Sequence, residues 1–230
     1  MKSYIWTLPT RVFHWSLAIG FTTAYILGDF DKFENLHFAF GAFVGTLILF
    51  RIVFGIFGPR YSNFKDFPIA PEHQKGFIRS YFSRAKNHVG HNPAAAVVML
   101  LILLIGLICS ISGYLLYATE NNILGFAIQE DLLEEVHEVL ANIFLVLVGA
   151  HLLGVLADTL FHRKTGTLQS IFTGYKNIEA RNVKLNAFHK YFVLLWVIVP
   201  IYLFFLAYNL PINDNKTTKQ SSEHYEDNDD

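Results

Sequence analysis

The chain has 230 residues, 53% hydrophobic, 16% aromatic and 16% charged, with a formal net charge of −1. Soluble domains carry about 25% charged residues, so too little polar surface is present to cover a water-soluble fold of this size. The 22 Phe residues exclude disorder, and one cysteine, Cys109, excludes an internal disulfide or a cysteine-built zinc site.

Five stretches reach the roughly 17–25 apolar residues that a membrane-spanning helix needs. They lie at Val12–Gly28, Leu36–Phe57, Ala94–Ala118, Val136–Phe161 and Phe188–Leu210. The first has no clean small-residue cleavage site and so reads as a span and not as a signal peptide. Period-two alternation is absent, which excludes a barrel and leaves helices to satisfy the backbone in lipid. The expected fold is an all-α transmembrane bundle.

The connecting segments set its orientation. Lys and Arg number two before the first span, six between the second and third, and five between the fourth and fifth. The alternate segments hold one, none and two, so the two sides carry 13 and 3. The positive-inside rule then places the N-terminus inside and the C-terminus outside. Acidic residues mirror this: Glu120, Glu130, Asp131, Glu134 and Glu135 fall in one outer segment. The tail, residues 211–230, reads as an acidic, disordered periplasmic extension.

Four of the ten histidines sit within or at the ends of the first four spans: His14, His37, His137 and His151. An ionisable side chain inside a bilayer points to function. His137 and His151 are 14 residues apart on one helix. That spacing falls about 40° short of four full turns and puts them on nearly one face, roughly 21 Å apart along the axis. They cannot share one ion, but they can serve two centres at opposite membrane faces. Matching depth across the topology pairs His14 with His151 on the cytoplasmic side and His37 with His137 on the periplasmic side. Two imidazoles from different helices suit an iron held axially on both sides of a flat macrocycle, and an iron so held has no open position. That favours electron transfer over substrate binding. Ala18, Gly41, Gly45 and Ala141 are small where a macrocycle needs room, although Gly41 and Gly45 also form a helix-packing motif.

At this point the chain resembles the prokaryotic cytochrome b561 and nickel–iron hydrogenase b-type cytochrome superfamily. The resemblance covers nearly all of residues 4–178. It rests on the run from Trp6 through Leu8-Pro9-Thr10-Arg11 to His14-Trp15, on Arg51-Ile52-Val53-Phe54-Gly55 to Gly58, and on Gly90-His91-Asn92-Pro93. Glu135-Val136-His137-Glu138, His151, His162-Arg163 and Thr173-Gly174 complete it. It implies a four-helix core (1–178) holding two non-covalent haem b groups with the pairing derived above. The fifth helix (179–210) departs from the family pattern.

Other residues fill out the expectation. Arg11 and Arg51, near the cytoplasmic face, are candidates for haem propionates or are plain positive-inside anchors. His91 and Asn92 are candidates for a quinone carbonyl, as the resemblance suggests, although Asn92-Pro93 is also an ordinary helix start. His189 reads as an interfacial anchor, His162, His73 and His88 as solvated loop residues, and Trp6, Trp15 and Trp196 as interface aromatics. Cys109 reads as helix packing.

The expected protein is therefore a multi-pass cytochrome b of the bacterial inner membrane. It carries electrons between the quinone pool and a periplasmic cytochrome c or partner oxidoreductase subunit. No nucleic acid is expected as a partner. A free-standing quinone-linked oxidoreductase is the alternative within redox chemistry, and a histidine-dependent metal or proton transporter is the alternative from another class. The transporter reading is weakened by the clustering of the histidines at two distant depths.

Overall fold

The computed structural model describes residues 1–80, 88–123, 129–162 and 165–211. The tail expectation lies, from residue 212 onward, outside the described residues. In chain order the elements are β1 (Ser3–Tyr4), α1 (Leu8–Leu27), α2 (Glu34–Phe57), α3 (Pro71–Ser80), α4 (Pro93–Glu120), α5 (Glu130–Phe161), α6 (Thr167–Thr173), β2 (Tyr175–Lys176) and α7 (Ala187–Tyr208).

The long helices start where their sequences provide caps. The Thr7 hydroxyl accepts from Thr10 N and Pro9 stands in the first turn, so α1 begins ahead of its apolar stretch. Asn92 Oδ1 accepts from Ala95 N at 2.8 Å before Pro93 opens α4. At α7, Asn186 and His189 form a reciprocal capping box. Glu130 and Asp131 put negative charge on the first turn of α5, where it complements the helix dipole.

Among the described residues, four helices are long and apolar enough to cross a membrane: α2 with its leading turn, α4, α5 and α7. α1, with 20 residues, has the length, about 30 Å. It carries Arg11 and His14 in its first two turns and is less apolar than the other four. The expectation of five spans thus meets four qualifying helices and a fifth of sufficient length.

α2 is the hub. It packs on α1, α4 and α7, while α4 packs on α5. The core between them gathers Phe13, Phe21, Val44, Leu47, Ile48, Phe54, Ile102, Leu103, Phe144 and Trp196. Gly45 belongs to this packing: an added Cβ would stand 2.7 Å from Ser110 Cβ, so its lack of a side chain admits α4. Gly41, by contrast, has open space beside it.

Two tryptophans expected at the interface are instead interior. Trp196 is enclosed by Phe13, Phe54 and Phe192, and Trp6 donates its indole N–H to Ser170 Oγ at 3.0 Å. The reason for the second is the antiparallel pair β1–β2, with Ser3 opposite Lys176 and Tyr4 opposite Tyr175. Together with Ile5 N and Trp6 N bonded to Gly174 O, it straps the N-terminus across the end of the bundle. Gly174, at φ 88°, makes the turn that the strap requires.

Candidate metal centres

α5 carries the two histidines on which the site depends, and it packs closely on α4 and α6 while standing off α1 and α2. Its contacts with α1 are at mid-height: Phe144 lies 4.2 Å from Phe21 between ring centres, and the Tyr25 hydroxyl donates to Asn142 Oδ1. Above and below that waist the histidines meet in pairs. His14 of α1 and His151 of α5 have ring centres 6.2 Å apart, and His37 of α2 and His137 of α5 have them 5.9 Å apart. These are the two pairings that depth matching gives.

The spacing fits one metal per pair. With a metal–imidazole nitrogen bond of about 2 Å on each side, and the rings' own radii added, two ring centres stand roughly 6 Å apart. Among the described residues no three His, Cys, Asp or Glu side chains gather as a chelating ion site would need, so each centre offers axial donors alone. A metal already held in a planar ring, such as the iron of a haem, is the species that two such donors complete.

Second partners orient the rings at one centre. His37 Nδ1 donates to Ala24 O at 2.8 Å. His137 Nδ1 lies 3.1 Å from Cys109 O and 3.0 Å from Ser112 Oγ, whose own hydroxyl donates to Cys109 O at 2.8 Å. With the proton on Nδ1, the Nε2 lone pair of each ring is free for a metal. Gly113 allows this seat, since an added Cβ would lie 2.8 Å from His137 Cε1. At the other centre His14 Nδ1 is buried and meets no hydrogen-bond partner among the described residues.

The remaining candidates collect at the end strapped by β1 and β2. Arg11 donates to Phe172 O of α6, which ties that guanidinium to the fold, though its Nε is buried without a partner among the described residues. Arg51 is 2% exposed, lies over the Phe64 ring at 5.2 Å, and leaves Nη1 without a partner among the described residues. His91 is held between the rings of Trp6 and Phe67, at 4.8 and 4.7 Å, with Nδ1 buried and without a partner among the described residues. Its burial, and then Arg51, Lys176 and His151, push its pKa down to about 3, so it is neutral. Asn92 has its Oδ1 committed to the α4 cap, which leaves only its amide N–H groups for a ligand.

Lys176 is the residue that sequence reasoning missed. It reads as one more inside-loop cation, yet it is 3% exposed, with Nζ on Gly90 O at 2.8 Å and the ammonium over the Trp6 ring. Burial lowers its pKa to about 8, against the opposing pull of Asp158. Ser112 was also missed, since nothing local in the sequence links it to a histidine 25 residues later. His162 is no solvated loop residue: it caps α5 at 11% side-chain exposure, 3.4 Å from Asp158. His189 is buried, and its Nε2 meets Phe57 O at 3.0 Å, joining α7 to the end of α2.

An apolar helical bundle that sets two facing imidazole pairs at the two ends of one helix has the makings of a membrane b-type cytochrome. The model of the prokaryotic cytochrome b561 family matches residues 5–174, and the chain belongs to that family. Among curated proteins it is similar to the "Probable Ni/Fe-hydrogenase 1 B-type cytochrome subunit" of Escherichia coli K12, at 26% identity over 155 residues. The same-named protein of Escherichia coli O157:H7 matches equally. The match covers 55% of this chain and 65% of each relative, a little under two thirds of their length. No solved structure matches the chain. Family membership makes this a prokaryotic membrane cytochrome b, with haem b as its implied group.

Proposed function

We propose that the chain is a di-haem b-type cytochrome that carries electrons across the bacterial inner membrane, between a periplasmic redox partner and the quinone pool. The observation that carries this reading is the two imidazole pairs, each about 6 Å across, at opposite ends of α5. The residues fit the group: His14 with His151, and His37 with His137, would each hold one haem iron. Haem supplies a one-electron redox change when bound, and everything else is supplied by the chain.

The chain's contributions can be read residue by residue. The histidine pairs leave no open position, which keeps oxygen and small ligands off the metal. Phe21 and Phe144 fill the waist between the centres and exclude water from it. Arg51 offers its buried Nη1, without a partner among the described residues, to a carboxylate such as a propionate, with Arg11 Nε beside the first turns of α1 as a second donor. Neutral His91, next to Asn92, is placed to hydrogen-bond a quinone carbonyl at the same end. With 1–178 as the di-haem unit, α7 docks on the side of α2 away from α5. It leaves both centres to the first four long helices.

Five spans with the N-terminus inside put His37, His137 and the exposed Glu130, Asp131, Glu134 and Glu135 on the periplasmic side. That acidic face suits a cationic partner, a cytochrome c or an oxidoreductase subunit. The Escherichia coli relative is named as a hydrogenase subunit, which supports a partner oxidoreductase.

The test is haem content per polypeptide by pyridine haemochrome, with a reduced-minus-oxidised spectrum of the same sample. Two b-type haems with sharp low-spin bands are expected. A protein that stays colourless after expression with ample haem would overturn the reading.

A further inference from the structure

We propose that the two centres are poised unequally, the His37/His137 centre at the lower midpoint potential, and that Ser112 is a positioning residue for His137 in that centre. The inference rests on the di-haem reading and deepens it.

The warrant is the difference in what surrounds the imidazoles. An axial imidazole whose Nδ1–H is held by a good acceptor gains electron density and becomes a stronger donor, which favours ferric over ferrous iron. Both histidines of the His37/His137 pair have such an acceptor. His37 uses Ala24 O at 2.8 Å, a carbonyl in the last turn of α1 that also accepts from Gly28 N. His137 has two: Cys109 O at 3.1 Å and Ser112 Oγ at 3.0 Å. Ser112 accepts there because its own proton is already given to Cys109 O at 2.8 Å. One turn of α4 therefore sets two acceptors on the same ring nitrogen, and Gly113 lets the ring approach. Nothing comparable holds His14, whose buried Nδ1 is without a partner among the described residues.

Fixed charge acts in the same direction. At the His14/His151 end, Arg51 and Lys176 are 2% and 3% exposed, and both couple electrostatically to His91, as does His151. Two buried cations near an iron favour its reduced, less positive state. Asp158, which faces Lys176, offsets one of them. At the opposite end the first turn of α5 carries Glu130 and Asp131, two turns ahead of His137, and their charge favours the oxidised state. Ligand polarisation and fixed charge thus both raise the His14/His151 centre relative to its counterpart.

The experiment is a potentiometric titration of the visible spectrum of the full-length, haem-loaded protein, with the two waves assigned by ligand variants. His151→Ala should retain the lower wave alone, and His37→Ala the upper wave alone. Ser112→Ala should move the lower wave upward by an amount equal to a several-fold change in the ferric-to-ferrous ratio at fixed potential. The upper wave should stay in place as an internal control of folding, and Ser112→Thr should restore the original value. Retention of the upper wave by His151→Ala, or two unmoved waves in Ser112→Ala, would overturn the inference while leaving two haems and the proposed function standing. A protein that binds no haem would instead sink the reading beneath it.

Discussion

α5 and α7 are both long apolar helices, yet they are used in opposite ways. Over its 22 residues α7 buries His189, Trp196, Pro200 and Ala207 and seats its aromatic side chains against α2. α5, at 32 residues, buries Leu133 and Phe144 and otherwise stands off α1 and α2. In a bilayer no hydrophobic force draws one apolar helix to another, so helices associate through close van der Waals fit and polar links. α7 achieves that fit with protein alone, clamped at its start by the His189 bond to Phe57 O. α5 packs on α4 but turns an imidazole toward α1 near one end and toward α2 near the other, each facing a second imidazole. The difference teaches that a membrane helix whose one face is closed by protein while another presents paired polar groups is shaped around something other than protein, whereas a helix seated by aromatic fit is scaffold.

The largest effect should come from removing one imidazole of a pair. His151→Ala and His37→Ala are each expected to lose one haem and leave about one per chain by pyridine haemochrome. His189→Ala should keep two; a haem lost from His189→Ala with His14→Ala silent would invert the comparison of α5 with α7. Next in size is the waist of α5. Phe144 is 2% exposed and fills the space against Phe21 and Gly106. Phe144→Ala should cost about 3–5 kcal/mol, toward the lower figure where lipid replaces water as solvent, read from denaturant-induced unfolding in detergent. Leu153→Ala, at a side chain 67% exposed on the same helix, should change stability little by the same assay. On α7, His189→Ala removes a capping interaction and a bond to Phe57 O. A loss of about 1–2 kcal/mol is expected, with the haem spectrum unchanged.

How much of this could be read in the sequence follows from which signals are local. The apolar runs and the 14-residue spacing of His137 and His151 are properties of one helix, and helix geometry converts them directly into span and face. The pairing of His14 with His151 and of His37 with His137 needed only the added alternation of direction. The start of α1 was set late because apolarity begins at Val12, whereas the cap, Thr7, and Pro9 act on the backbone before it. Tertiary placement was less legible. Gly41 and Gly45 look alike one turn apart, but only contact with Ser110 distinguishes Gly45 as packing. Trp6 and Lys176 gave no sign of burial, since a two-residue strand pair 172 residues apart creates it. Ser112 and Cys109 reach His137 across the α4–α5 interface, which no spacing within either helix encodes.

The strapped end offers the subtlest prediction, because its key group is a histidine held neutral. His91 lies between Trp6 and Phe67, with Arg51, Lys176 and His151 acting on it and Asp158 facing Lys176. Its folded-state pKa is about 3, against 6.5 for an ordinary histidine. Between those values the unfolded chain binds a proton that the folded chain refuses. The unfolded state therefore gains on acidification, and stability falls as pH drops below 6.5. Going from pH 6.5 to 5.5 should cost about 1 kcal/mol from this group. His91→Gln keeps a polar side chain without the proton equilibrium, so its stability should change less across that interval. A wild-type and variant pair with the same slope would show that His91 takes up its proton inside the fold, and would remove the neutral imidazole from the strapped end of the molecule.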